Sequence, residues 1–159
     1  MRWTPSDMPS IIRPVQKDDR KNWEELFQAY ADFYKVELPE KARETAWVWI
    51  FSTSEDFWCD VVESDDGQLL GFVQYQLMHR SLSGEKVCYL SDLFVLPSQR
   101  GERLGKALID QVFRVARDRQ WSNVRWLTQQ SNARARKLYD HYLEASEFIL
   151  YSVPVGAQV

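Results

Sequence analysis

The feature that most constrains this chain is an apolar run followed at once by a basic turn and an amphipathic segment. The apolar run spans 89–96 (YLSDLFVL), and the turn after it, 97–103, contains two arginines. From Leu104 onward, apolar residues recur at the three- and four-residue spacing of a helix that is buried on one face. This order predicts a buried strand, a tight turn and the start of a helix.

A strand–turn–helix junction of this kind directs backbone N–H groups, and the positive end of a helix dipole, at one small volume. The expected occupant is a ligand that carries phosphate groups. The turn is not a P-loop, because the chain has no GxxxxGK[ST], and it is not a Rossmann turn, because there is no GxGxxG. The sequence therefore predicts a phosphate site that belongs to neither motif.

The rest of the chain reads as further strands and helices. Strands are predicted at 11–15, 57–63, 69–78, 86–96, 124–128 and 148–153, and helices at about 19–35, 39–52 and 103–119, with a last helix capped by Ser131 or Asn132. The sequence shows no repeat, no low-complexity segment and no linker. Residues 1–159 are therefore predicted to form a single α/β domain with a mixed sheet.

Charge is distributed unevenly along the chain. Residues 1–97 carry 10 Lys/Arg against 17 Asp/Glu, and residues 98–159 carry 10 against 6. This division fits an anionic ligand in the second half and a cationic one in the first, and it fits chance equally well. The basic excess is too small for a nucleic-acid surface, the apolar runs are too short for a bilayer, and the N-terminus lacks a secretory signal. We expect no nucleic-acid partner and no membrane partner.

The two cysteines, Cys59 and Cys88, lie in predicted strands and have no CxxC spacing. Buried free thiols are therefore expected in place of a disulfide or a metal pair. The prediction is a chain without a metal in a reducing, cytoplasmic compartment.

The turn resembles the pyrophosphate-binding turn of the GNAT superfamily of N-acetyltransferases, Arg/Gln-x-x-Gly-x-Gly/Ala. The matching residues are RGERLG at 100–105. The resemblance covers about residues 11 to 153 and implies a GNAT fold, a mixed and mostly antiparallel sheet of about six to seven strands flanked by about four helices. Arg103 stands where the family usually has glycine, which indicates either tolerated variation or a weakened coenzyme site.

A second segment, NARARKLY at 132–139, resembles the family's N-x-x-A-x-x-L-Y motif. The resemblance implies that Asn132 and Ala135 lie along the pantetheine arm of acetyl-CoA and that Tyr139 reaches the thioester sulfur. An amine that attacks a thioester expels a thiolate, so a phenol at the sulfur can donate the proton that the thiol needs. Taken without the first motif, Tyr139 fits the core face of an amphipathic helix better.

The strand that ends at 91–95 resembles the family's fourth strand. The resemblance implies that the backbone of this strand binds the pantetheine amides and polarises the acetyl carbonyl. Asp92 is a candidate for holding or deprotonating the incoming ammonium, and the alternative is a solvent-facing residue beside the sheet. The predicted coenzyme contacts are Leu93, Phe94, Val95, Arg100, Gly101, Glu102, Arg103, Leu104, Gly105, Lys106, Asn132, Ala135 and Tyr139.

The aromatic and acidic stretch 23–34 indicates an acceptor site. Carboxylates attract a cation and aromatic faces stabilise it, although most of these rings also fit a hydrophobic core. The candidates are Glu25, Tyr30 and Tyr34, together with His79 in a predicted polar loop at 79–85, a candidate general base or substrate contact.

The predicted function is that of an N-acetyltransferase, which moves the acetyl group of acetyl-CoA onto a primary amine by direct attack. The acceptor is a small cationic amine or a lysine side chain, and Tyr139 is the general acid. The chain resembles the small histone- or polyamine-type acetyltransferases, many of which are homodimers, so a homodimer is predicted. The alternatives are a non-catalytic acyl-CoA-binding or sensor domain, and an acyltransferase for longer chains.

Overall fold

The computed structural model describes residues 10–156, except for the side chain of Glu102. The strands are β1 (Ser10–Pro14), β2 (Phe57–Ser64), β3 (Leu69–Arg80), β4 (Glu85–Val95) and β5 (Val124–Arg125), and the helices are α1 (Arg20–Phe33), α2 (Glu40–Phe51), α3 (Glu102–Asp118) and α4 (Ala133–Tyr139). Short 3-10 turns precede α1 and α3. The predicted absence of a secretory signal concerns residues 1–9, which lie outside the described residues.

The five strands form one sheet in chain order, β1-β2-β3-β4-β5. The first four strands pair antiparallel, and β5 pairs parallel to β4 through two residue pairs. The predicted fold class, an α/β GNAT fold with a mostly antiparallel sheet and four helices, is confirmed.

The predicted number of strands was too high, because residues 10–156 contain five strands and not six to seven. The fifth strand spans two residues instead of 124–128, and 148–153 forms no strand. The apolar side chains of this last segment are exposed: Phe148, Ile149, Leu150, Tyr151 and Val153. Strand propensity reflects packing against neighbouring strands, so an apolar β-rich segment that pairs with nothing in the described range does not become a strand.

The core on one face of the sheet is aromatic. Trp23 from α1 and Trp47 from α2 pack with their ring centroids 5.0 Å apart, over Phe72 of β3 and Phe94 of β4. On the other face, α3 buries Leu108, Ile109 and Val112 completely. Both cysteines are buried and free, as predicted. Helices therefore cover both faces of the sheet.

The described residues divide into two compact units, one up to Leu127 and one from Thr128 onward. The first unit contains the sheet and α1–α3, and the second contains α4 and the segment that follows it. The assignment of residues 1–159 to a single domain stays a prediction.

Candidate functional site

A bulge interrupts β4 where the sequence places the chemistry. In the pairing with β3, Tyr75 lies opposite Leu90, and the next residue of β3, Gln74, lies opposite Asp92. Ser91 is therefore the extra residue. A bulge reverses the side to which the following backbone groups point, and bulges are frequent beside active sites.

The bulge leaves a row of backbone groups at an open edge. The Leu96 N–H donates to the Leu70 carbonyl of β3 at 2.9 Å. Because backbone groups alternate along a strand, those of Leu93 and Val95 point away from β3. The pairing with β5 ends before the bulge, so no strand among residues 10–156 covers this edge. By the same alternation the backbone of Phe94 faces β3, and the coenzyme contact of Phe94 stays a prediction.

The turn after β4 leads directly into α3. Gly101 precedes the helix in an extended conformation (φ −178°), and a Cβ added there would meet no atom within 4 Å. The first N–H groups of a helix have no partner inside it, so these donors and the open space at Gly101 suit a phosphate. Arg103 lies in the first turn of α3 with the helical backbone expected of it, and both its side chain and that of Lys106 are exposed. Leu104 and Gly105 complete this turn, and Gly105 is buried.

Arg100 connects this turn to α1. Its guanidinium carbon lies 4.6 Å from the centre of the Phe33 ring and 5.7 Å from that of Phe94. Its Nε donates to the Val95 carbonyl at 3.3 Å. The arginine therefore lies between the turn, the open edge of β4 and the end of α1.

Asp92 lies on the face of β4 that α1 covers. Gln74 Nε2 donates to Asp92 Oδ2 at 2.8 Å, and the Tyr30 hydroxyl hydrogen-bonds the same carboxylate. Burial raises the pKa of Asp92 above its usual range, and these two hydrogen bonds oppose the rise. The alternative of a solvent-facing side chain is wrong. The site contains a half-buried carboxylate beside the open edge at Leu93.

Gln74 is a site residue that sequence reasoning missed. It is 1% exposed, and its Oε1 accepts a hydrogen bond from Trp23 Nε1 at 2.9 Å. The available signal was a glutamine in the middle of the apolar run 69–77, where a polar side chain needs a buried partner.

Tyr30 and Tyr34 lie together near Asp92. The Tyr30 ring packs edge-on against Tyr34 at 5.1 Å, against Phe72 at 5.6 Å and against Phe94 at 5.9 Å. Tyr34 is the C-cap of α1 and is half-buried. Part of the predicted aromatic acceptor site is therefore also core, as the sequence allowed.

Glu25 and His79 lie away from Asp92. Glu25 follows Trp23 by two residues, about 200° around the helix, so it is exposed on the opposite side from Tyr30. His79 is wrongly assigned to a loop, because β3 continues to Arg80 and pairs His79 with Lys86. Five residues of strand separate His79 from Gln74, or about 16 Å.

In the second unit, α4 presents the other predicted residues on one face. Asn132 is the N-cap, and its Oδ1 accepts from the Ala135 N–H at 3.4 Å, which confirms the predicted cap. Ala135 and Tyr139, one turn apart, are both half-buried. The Ala133–Tyr139 helix therefore aligns Asn132, Ala135 and Tyr139 along its length.

Residues 10–156 contain neither a candidate metal centre nor a candidate membrane-spanning helix. No three His, Cys, Asp or Glu side chains are grouped so that they could hold a metal ion. None of the helices in this range is both long and apolar enough to cross a membrane.

The bulged fourth strand, its open edge and the turn into α3 define an acetyltransferase of the GNAT type. The profile of the acetyltransferase (GNAT) family matches residues 23–143. The chain belongs to this family. It is an acetyl-CoA-dependent acyltransferase with acetyl-CoA as co-substrate.

Named relatives agree with this assignment. The chain is 25% identical over 142 residues to the D-amino-acid N-acetyltransferase HPA3 of Saccharomyces cerevisiae, covering 89% of this chain and 88% of that protein. It is 28% identical over 137 residues to the thialysine N-epsilon-acetyltransferase of Bos taurus, covering 81% and 80%.

Solved structures share the fold. A probable acetyltransferase superposes with a TM-score of 0.81 at 24% identity, over 93% of this chain and 99% of that one. The aminoglycoside N-acetyltransferase AAC(6')-Iy, solved in complex with CoA, gives 0.79 at 21% identity, over 96% and 99%. At these identities the likeness concerns the fold.

The residues of the first unit fit acetyl-CoA. The outward backbone groups of Leu93 and Val95 match the alternating donors and acceptors of an amide-bearing pantetheine arm. The open space at Gly101 and the first-turn N–H groups of α3 match a pyrophosphate, and the exposed Arg103 adds positive charge beside them. The exposed Lys106 is ion-paired with Asp110 at 2.6 Å.

Proposed function

We propose that the acceptor is a primary amine, either a small cationic amine or a lysine side chain, and that it attacks the thioester directly without a covalent enzyme intermediate. The observation that carries this proposal is the carboxylate of Asp92, held by Gln74 and Tyr30 beside the open edge at Leu93. An amine arrives as an ammonium and must lose a proton before it can attack. A half-buried carboxylate attracts that cation and accepts the proton.

Two further features support a cationic acceptor. The Tyr30 hydroxyl hydrogen-bonds Asp92, the Tyr34 ring packs against the Tyr30 ring at 5.1 Å, and aromatic faces stabilise a cation beside them. Two relatives are named for N-acetylation of a D-amino acid and of thialysine at its N-epsilon. Both names describe acetylation at nitrogen, as the proposal requires.

The proposed general acid is Tyr139, which protonates the departing thiolate. It ends α4, on the helix that aligns it with Asn132 and Ala135. We expect Tyr139→Phe to keep acetyl-CoA affinity and to lower kcat by about 10²- to 10⁴-fold, the usual range for a general acid. Tyr142→Phe, the same change three residues later, is the matched control and should keep the wild-type kcat. Unchanged turnover in Tyr139→Phe would show that Tyr139 is not the general acid.

A second candidate function is a non-catalytic acyl-CoA sensor, which Arg103 favours because it replaces the glycine of the family's turn. Thiol release from acetyl-CoA across a panel of primary amines separates the two. Turnover of at least one amine supports the enzyme, and tight acetyl-CoA binding without turnover of any amine supports the sensor. The same panel with longer acyl-CoAs tests the use of other acyl groups.

The proposed assembly is a homodimer, and the proposed location is the cytoplasm. The exposed apolar residues of 148–153 support the first, because a large exposed apolar patch marks an interaction surface. The free, buried Cys59 and Cys88 support the second. Light scattering of the wild type and of Ile149→Asp tests the dimer, which the substitution should dissociate. Cell fractionation tests the location.

A further inference from the structure

Gln74 is a fully buried amide on the face of the sheet that carries the aromatic core. It is 1% exposed, between Trp23 of α1 and Asp92 of β4. A buried amide is destabilising unless its donors and its acceptor find partners. Gln74 satisfies both ends, one on Trp23 and one on Asp92.

Trp23 fixes which way the amide of Gln74 points. An indole nitrogen can donate a hydrogen bond but cannot accept one. The Gln74 atom that faces Trp23 Nε1 at 2.9 Å must therefore be the carbonyl oxygen. The amide nitrogen is then directed at Asp92 Oδ2, 2.8 Å away. The chain of hydrogen bonds runs in one direction, from Trp23 through Gln74 to Asp92.

This direction restricts which oxygen of Asp92 can carry a proton. A proton on Oδ2 would point at the N–H of Gln74, so this oxygen has to stay an acceptor. With Trp23 in place the amide cannot turn over to receive that proton. We propose that Gln74 is a positioning residue for acetyl transfer, which, oriented by Trp23, keeps Asp92 as the proton acceptor for the amine. The inference rests on the proposed function.

Other titratable groups also face Asp92. They are Tyr30 from α1, Cys59 from β2 and Tyr89 from β4. Burial raises the pKa of both Cys59 and Tyr89, and the negative charge of Asp92 adds to the rise in each. These two groups therefore stay neutral near neutral pH, and Asp92 is the carboxyl group that they face.

The test compares Gln74→Leu with the wild type by NMR titration of the Asp92 carboxyl carbon. We expect Asp92 to titrate about one to two pH units higher in Gln74→Leu, because a charged acceptor loses its donor. Trp23→Phe should shift it in the same direction, since the freed amide can turn over and accept the proton. An unshifted Asp92 titration in both variants overturns the inference, whether or not any amine is acetylated.

The pH dependence of kcat/KM for an accepted amine provides the second readout. We expect its acid limb to move up with the Asp92 titration in Gln74→Leu, with the rate largely recovered at high pH. A structural role alone would lower the rate equally at all pH values, which would overturn the inference. If Asp92→Asn kept full turnover while the NMR shift was seen, the proposed function would fail and the positioning of Asp92 would stand.

Two variants control for packing. Gln76→Leu makes the same change two residues along β3, at a half-buried position. Trp47→Phe shortens the tryptophan that packs 5.0 Å from Trp23. Neither should shift the Asp92 titration. If Gln74→Leu does not fold, Trp23→Phe alone decides, and an unshifted titration in it overturns the inference.

Discussion

The guanidinium carbon of Arg100 lies 4.6 Å from the centre of the Phe33 ring. This contact joins the first residue of the pyrophosphate turn to the last residue of α1, beside the proposed acceptor site. The Val95 carbonyl also accepts a hydrogen bond from Arg100 Nε, at 3.3 Å. A side chain that is already held in place loses less entropy when a ligand binds, so we expect the contact to favour the proposed binding of acetyl-CoA at this turn.

We expect Phe33→Leu to weaken acetyl-CoA binding by about two- to fivefold, because a cation–π contact at an exposed site contributes ~0.5–1 kcal/mol. Calorimetry measures the affinity. Val36→Ala changes another exposed apolar residue just after α1 and should bind like the wild type. Wild-type affinity in Phe33→Leu would show that the contact does not favour acetyl-CoA binding.

A second prediction concerns Gly71, which lies opposite Val95 in the β3–β4 pairing. A Cβ at Gly71 would lie 2.5 Å from the Phe94 carbonyl oxygen and 3.2 Å from the Val95 Cα. Both neighbours are backbone atoms, so β4 must move. We expect Gly71→Ala to lower the free energy of unfolding by about 1–3 kcal/mol and to weaken acetyl-CoA binding at the displaced edge.

Denaturant unfolding and calorimetry measure the two effects. Gly101→Ala is the matched control for stability, because an added Cβ meets no atom within 4 Å and the backbone there is extended. Its free energy of unfolding should equal that of the wild type. Equal stability of Gly71→Ala and Gly101→Ala would contradict the close approach of β3 and β4.

A third prediction concerns the buried carboxylate of Asp60, on the α3 side of the sheet. The Tyr75 hydroxyl and Gln111 Nε2 donate to its Oδ2, both at 3.2 Å. Burial raises the pKa of Asp60, and these hydrogen bonds and the charge of Arg119 oppose the rise. A raised pKa in the folded state means that Asp60 contributes stability at low pH, which is lost as the pH rises through the folded-state pKa.

We expect Asp60→Asn to raise the free energy of unfolding by about 1 kcal/mol near pH 8 and to lose this advantage toward about pH 4. Gln111 accommodates the change, because its Oε1 is buried without a hydrogen-bond partner in the described residues and can accept from the introduced amide. Urea unfolding at several pH values measures the effect, with the exposed Asp65→Asn as control. A less stable Asp60→Asn at pH 8 would refute the argument.

The sequence predicted the elements whose local pattern agrees with their packing. The strand–turn–helix from 89 to 118 is present because its apolar residues satisfy strand and helix periodicity on the faces that the core uses. The Asn132 cap follows from a local preference alone and is also present. The turn and α4 could therefore be predicted from local sequence patterns.

Features that depend on pairing between distant residues could not be predicted from the sequence. The bulge at Ser91 is set by the register of β4 against β3, and the segment 148–153 has strand composition without a strand. The contact from Trp23 to Gln74 joins residues 51 positions apart. Hydrophobic periodicity cannot predict such a contact. A glutamine in an apolar strand indicates only that a buried hydrogen-bond partner is needed.

The most direct test of the central claim compares Asp92→Asn and Asp65→Asn with the wild type in thiol release from acetyl-CoA with a primary amine. Calorimetry follows acetyl-CoA affinity in parallel. We predict that Asp92→Asn binds acetyl-CoA like the wild type and loses about 10²- to 10⁴-fold in kcat/KM for the amine, while Asp65→Asn keeps it. Wild-type kcat/KM in Asp92→Asn would contradict the account.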